Sequence, residues 1–392
     1  MRSLSIGLVL SCLTLNSALA CQNTANFADW LADFKREAAA EGIDKTVIEQ
    51  TLAHAKIDQS VIQRDRNQGV FAQTFLQFSD KKVSSNRLSI GRSQLKKNAA
   101  LFNRIEAKFG VPAEVLTGFW GLETDFGAVL GDFATIPALT TLAYDCRRPE
   151  RFRPELKHAL WLVQKGDMTP AKMHGAWAGE LGQLQFLPSG YNLHGVDFDG
   201  NGHRNIIDSK ADALASAASL LKHYGWRAGE PWLLEVKVPA QMDWAKARLE
   251  NKLPLSTWSD EGVTLPNGKA LPKSGVAALL LPMGRNGPAF LAYPNFDAYL
   301  QWNESSVYSL TAAYFATRLA GAPPLRRGNA PVDTLSLSQV KTLQQQLRDK
   351  GIKIEKVDGI IGQETMNATR KLQQQMGLPA DGYPDQTFFN KL

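Results

Sequence analysis

Apolar residues recur at helical spacing along most of the chain. Phe27, Trp30, Leu31 and Phe34 step by three and four residues, which predicts helix from residue 26 to about 55. The pattern resumes over 99–109, pauses at Gly110 and restarts at Pro112, a residue suited to a helix's first turn. Further helices are predicted over 154–164, 209–224 and 305–320. Between 231 and 293 the period shortens. Apolar runs at 233–238, 277–282 and 289–293 sit between Pro, Gly and Asn turns, as strands do. This stretch reads as a small β-containing subdomain inserted before the last helix of the main domain. A Pro, Gly and Asn-rich segment follows, with a linker expected over 322–334. Residues 335–392 then form a unit near the minimum size for independent folding. No internal repeat stands out.

The first twenty residues differ from the rest. Arg2 supplies a positive start, residues 4–15 are apolar, and Ala18-Leu19-Ala20 is a small-x-small cleavage site, so a signal peptide is expected over 1–20. Cys21 would then be the first mature residue, and two readings follow. Cys21 either pairs with Cys146 in an exported, soluble, periplasmic protein or is acylated as a lipoprotein anchor. The formal charge is +6, from 44 basic and 38 acidic residues without a Lys/Arg run. That excludes a nucleic-acid partner as the leading idea and suits an anionic polymer.

Among the candidate chemistry, Glu123 falls inside the apolar face built by Val115, Leu116, Phe119, Trp120, Leu122 and Phe126. A carboxylate in such a setting loses hydration, its pKa rises, and it becomes a general acid near neutral pH. Spacing alone favours the plainer alternative, a helix-edge Glu that reaches solvent or pairs with an Arg. Glycoside hydrolysis normally needs a second carboxylate. Asp125, two residues on, points elsewhere, and Glu180, in a Gly-rich segment, is not a convincing partner. A lone acid argues for a nucleophile supplied by the substrate.

Three motifs carry a resemblance. Gly118-Phe-Trp-Gly-Leu-Glu-Thr-Asp-Phe-Gly, Thr141-Leu-Ala-Tyr-Asp-Cys-Arg-Arg, and the segment 177–191 with its Gly-Gln-x-Gln-Phe-x-Pro-Ser core resemble the lytic murein transglycosylase B family, in the family's order. The similarity spans roughly 27–321, within a catalytic domain expected over 21–321. It implies a mainly α (α+β) fold with a lysozyme-like helical core and a cleft, Glu123 as acid/base, and Arg147, Arg148, Gln185, Asn303 and Tyr308 as substrate-binding residues. It also implies cleavage between N-acetylmuramic acid and N-acetylglucosamine with a 1,6-anhydro product. Peptidoglycan is the expected partner, other cell-wall enzymes are further candidates, and oligomeric state stays open.

The segment from Asp197 to Asp208 places oxygen ligands at loop positions one, three, five, nine and twelve: Asp197, Asp199, Asn201, Asn205 and Asp208. Gly202 takes the turn position and the His203 carbonyl the seventh. Position twelve is Asp rather than Glu, position eight is Arg204, and Asp212 is an alternative closing carboxylate. Structural calcium or a metal-free Asx turn both fit.

From Val340 onward, Leu343-Gln344, Asp358-Gly359, Leu372-Gln373 and Asp381-Gly382 resemble the three-helix peptidoglycan-binding domain found beside wall hydrolases. The chain is thus expected to be an enzyme. A true hydrolase and a non-catalytic wall scaffold are the rival readings.

Overall fold

A computed structural model describes residues 26–66 and 73–392. The expected signal peptide, its cleavage site and Cys21 lie outside those residues. The long N-terminal helical stretch is divided into α1 (Phe27–Ala40) and α2 (Lys45–Leu52), and α3 (Gln59–Arg66) follows beyond it. Trp30, Phe34 and Ala38 are the buried stripe of α1, and the Asn26 side chain caps its start. Then come α4 (Phe75–Lys82), α5 (Ser85–Lys97), α6 (Ala99–Phe109) and α7 (Ala113–Thr124). Gly110 ends α6 at φ 74°, where a Cβ would lie 2.5 Å from Ala228, so only glycine fits.

The next elements are β1 (Phe133–Ala134), α8 (Thr135–Tyr144), α9 (Pro149–Gln164), β2 (His174–Gly175), α10 (Pro188–His194) and α11 (Lys210–His223). The helix expected from 154 begins five residues earlier, because Pro149 occupies the N-terminal position that tolerates a missing N–H and Pro154 is absorbed inside.

The inserted subdomain contains β3 (Leu233–Val236), β4 (Leu253–Pro254), α12 (Leu255–Asp260), β5 (Val276–Leu280) and β6 (Ala289–Ala292). Its strands form one antiparallel sheet in the order β3-β6-β5-β4, with Leu234 opposite Leu291 and Leu291 opposite Leu279. Val236, Trp258, Leu279 and Leu291 belong to its separate core. The main domain closes with α13 (Phe296–Trp302) and α14 (Ser306–Leu319).

Helix α7 runs through the middle of the main core. Every residue from Val115 to Leu122 is buried, and Gly118 and Gly121 let α14 approach through Ala316 and Phe315. This close approach brings the start of α14 beside the end of α7.

The C-terminal unit holds α15 (Leu337–Asp349), α16 (Gln363–Gln375) and α17 (Gln386–Phe389) around Leu343, Leu347, Ala368, Leu372 and Phe388. Two matched clasps shape it. Gln344 donates to Asp358 and accepts from the Gly359 N–H, at 3.0 and 2.8 Å; Gln373 does the same with Asp381 and Gly382 at the same distances. The unit is fastened to the inserted subdomain. Asp381 Oδ2 accepts from the Arg285 backbone N–H and guanidinium at 3.0 and 2.9 Å, and Arg370 donates to the Ala247 carbonyl at 2.9 Å. The segment expected as linker lies along the inserted subdomain, where the Arg326 N–H donates to Glu235 and the Asn329 N–H to the Asn286 carbonyl.

Candidate active site

Glu123 is carried on the last turn of α7, at a tightly pinned helix end. Asp125 and Phe126 follow at φ 48° and 63°, a left-handed pair rare outside glycine. Arg87 holds Asp125 through its Nε at 2.7 Å and also donates to the Lys82 carbonyl. Phe126 packs edge-on against Trp120. The Thr124 hydroxyl donates to the Gln183 carbonyl at 2.6 Å, tying the helix to the Gly-rich segment.

Two donors converge on one oxygen of Glu123. Trp302 Nε1 donates to Oε1 at 2.8 Å, and the Tyr308 hydroxyl donates to the same atom. Trp302 ends α13 and is fixed by stacking on Phe119 at 4.4 Å and edge contact with Phe186. Tyr308 lies in the first turn of α14, where the Ser305 side chain caps the helix. Glu123 keeps a partial opening to solvent, yet its surroundings are mostly protein. Burial pushes its pKa up to about 7; the bonds from Tyr308 and Trp302 pull down, nearby Glu180 pushes up, and Lys82 pulls down. An oxygen that accepts two hydrogen bonds is poorly placed to carry the proton. The proton therefore falls on Oε2, free to be given away.

The other expected residues divide. Tyr308 touches Glu123 directly. Asn303 follows Trp302 and shapes the turn into α14, accepting from the Ser305 N–H at 2.9 Å and, through its carbonyl, from the Ser309 hydroxyl. Gln185 sits at φ 51° and spends its amide N–H groups on the Leu130 and Gly182 carbonyls. Arg147 and Arg148 converge on the buried Asp65, with Arg147 at 2.6 Å. Cys146 lies just before them, and its expected pairing with Cys21 falls outside the described residues.

Two residues near Glu123, Trp302 and Lys82, were not singled out from the sequence, and neither was Asp65, which holds Arg147 and Arg148. Glu180, set aside there, comes within electrostatic reach of Glu123. The approach of Asn303 and Tyr308, both expected in the site, was the only signal that pointed toward Trp302.

In the acidic loop, Asp197, Asp199 and Asp212 each bring a carboxylate oxygen within 4.8 Å of the others, a hard-oxygen set that fits a divalent cation such as calcium. The Gly202 N–H, then those of Gly200 and Asn201, hold the Asp197 pKa below the usual range. Asp212 is fully buried and accepts from the Phe198, Asp199 and Asn205 N–H groups. Asn201 accepts from the His203 N–H, and Asp208 binds Asn205 outside the trio. Arg204, unusual at its loop position, pairs with Asp167 and donates to the Asn192 carbonyl. Gln183 takes the Ile206 carbonyl with its N–H and the Ile207 carbonyl with its side chain. The loop is thus linked through Gln183 to Thr124.

The residue pattern of the transglycosylase SLT domain matches residues 26–317. The chain belongs to that family. It is a lytic murein transglycosylase, and a peptidoglycan binding domain pattern matches its residues 336–392. Membrane-bound lytic murein transglycosylase B of Escherichia coli K12 is 28% identical over 279 residues, covering 69% of this chain and 76% of that protein. SltB3 of Pseudomonas aeruginosa, solved with NAG-anhNAM-pentapeptide, superposes with a TM-score of 0.86 at 39% identity, covering 93% of this chain and 99% of that one. Slt35 of Escherichia coli, solved with calcium, gives a TM-score of 0.64 at 27% identity, covering 78% of this transglycosylase and 97% of that chain. The mainly helical expectation, with small antiparallel sheets and a helical C-terminal module, is borne out. No described helix of the transglycosylase is long and apolar enough to cross a membrane.

Proposed function

We propose that this transglycosylase cleaves the β-1,4 bond between N-acetylmuramic acid and N-acetylglucosamine without water, with Glu123 as acid and then base. The observation that supports it most is the asymmetric carboxyl: two donors on Oε1 and a pKa pushed to about 7. Oε2 gives its proton to the glycosidic oxygen as the C1–O bond breaks. The substrate's own N-acetyl oxygen shields the oxocarbenium-like centre. Trp302 and Tyr308 then hold the carboxylate that remains. That carboxylate removes the proton of the C6 hydroxyl, whose oxygen closes on C1 to give a 1,6-anhydromuramoyl end. Arg147 and Arg148, aimed by Asp65, receive carboxylates of the wall polymer. Gln185 and Asn303 line the same substrate path.

We also assign structural calcium to the loop, held by Asp197, Asp199 and Asp212 with Asn201 and the His203 carbonyl, Asp212 closing the set in place of Asp208; when bound it supplies rigidity behind Gln183, not chemistry. The relatives solved with muropeptides and the C-terminal module favour peptidoglycan as the ligand of this chain in the periplasm. Mass spectrometry of purified sacculi digested by wild type and Glu123→Gln tests the reaction. Anhydro ends from wild type alone support it; reducing ends would assign a hydrolase instead.

A further inference from the structure

Glu180 stands on the tight turn that follows β2, where Gly175 bridges to Leu181 and Leu181 to Phe186. A Cβ on Gly175 would lie 1.8 Å from the Glu180 carbonyl oxygen, so this turn is closed and cannot relax around a larger residue. Gln183, three residues on, receives the Thr124 hydroxyl immediately beyond Glu123. Phe186, on the same turn, meets the ring of Trp302, a donor to Glu123. The turn is therefore fastened to the catalytic carboxyl from two sides. Within it, Glu180 Oε2 is sealed from solvent and has no hydrogen-bond partner among the described residues. Folding alone disfavours such an atom, since a buried carboxyl oxygen without a partner loses its hydration without return.

We propose that Glu180 is a positioning residue for the reaction, a fixed second carboxyl that keeps the proton on Glu123 until the glycosidic oxygen arrives. The proposal rests on Glu123 being the acid/base. Charged and titratable groups surround the pair on every side. Lys82 from α4 and Tyr308 from α14 face Glu123, and the Arg87–Asp125 pair closes the end of α7. Arg151 and Arg148, at the start of α9, face Glu180, whose carboxyl also lies beside the backbone N–H groups of Glu180 and Ala178. Burial pushes the Glu180 pKa up, while those N–H groups and the two arginines restrain it. Like charge on Glu180 serves both halves of the reaction. It keeps more Glu123 protonated at neutral pH, and it leaves a stronger base to take the C6 proton.

The test is the pH dependence of kcat/KM on purified glycan strands for wild type and Glu180→Gln. The alkaline limb should move to lower pH by about one unit in the variant. Superimposable profiles would overturn the proposal. Because coupled carboxyls influence each other reciprocally, a second measurement needs no change at Glu180. With carboxyl-13C glutamate, the Glu180 resonance should titrate at lower pH in Glu123→Gln than in wild type, and an unmoved titration also overturns it. An active Glu123→Gln enzyme would instead remove the acid/base reading beneath it.

Discussion

Trp302 Nε1 reaches Glu123 Oε1 at 2.8 Å, joining residues 179 positions apart in the chain. The indole is held by Phe119, which lies one turn before Glu123 on the same helix. Substitution Trp302→Phe keeps that stacking and removes the donor. Since the bond favours ionised Glu123, its loss should move the alkaline limb of the pH–rate profile upward. The rate should fall about tenfold as the carboxylate loses support. Muropeptide release followed across pH checks both.

Substitution Glu123→Gln should lower activity by about 10²–10⁴-fold and at the same time stabilise the protein in alkali. The folded carboxyl titrates near 7 and the unfolded one near 4.5, so the native state holds the extra proton. Stability contributed by that proton is complete below 4.5 and is lost as pH rises through 7. The variant should therefore gain on the order of 1–3 kcal/mol over wild type at pH 8, with the gain vanishing toward pH 4.5. Thermal unfolding at both pH values measures it.

Lys82 pulls on Glu123 in the opposite sense to Glu180. Burial, then Arg87, holds its own pKa below the usual lysine value. Replacing Lys82 by Met should shift the alkaline limb of activity to higher pH. An unmoved limb would show that the ammonium does not act on the catalytic carboxyl.

Chelation should lower the melting temperature of the protein and spare the reaction at low temperature. A ligand at a hundred times its Kd stabilises by about 2.7 kcal/mol. The loss should be reversed by calcium and should disappear in an Asp197→Asn, Asp199→Asn double variant. If chelation abolished turnover without any change in unfolding, the loop would have a role other than support.

How far the sequence reached depends on whether the signal was local. Glu123 was legible because it closes a short apolar run that forms part of a recognisable local motif, Gly118 to Gly127. The acidic loop was legible because its ligands lie within a dozen positions, and the C-terminal helices because Leu, Gln and Asp-Gly recur in short range. Helix α8 was missed because Thr135 to Ala143 is buried almost throughout and shows no amphipathic period. Helix α5 was missed for the opposite reason, with Leu88 and Gly91 its only buried residues. Asp65 and Trp302 were invisible because their partners lie far along the chain, and only tertiary packing joins them.

The Asp381 clasp and the pinned connector have a mechanical consequence. A module on a loose tether would let the cleft sample many bonds around each anchoring point. Here Arg285, Arg370 and Asn329 fix the module to the same body that carries Glu123. With the polymer held by the module, as proposed for it, the fixed span between module and cleft would set the position of the cut, as the jaws of a caliper do. Fragment lengths should cluster for the intact protein and scatter when Arg285 and Arg370 are both replaced by Ala.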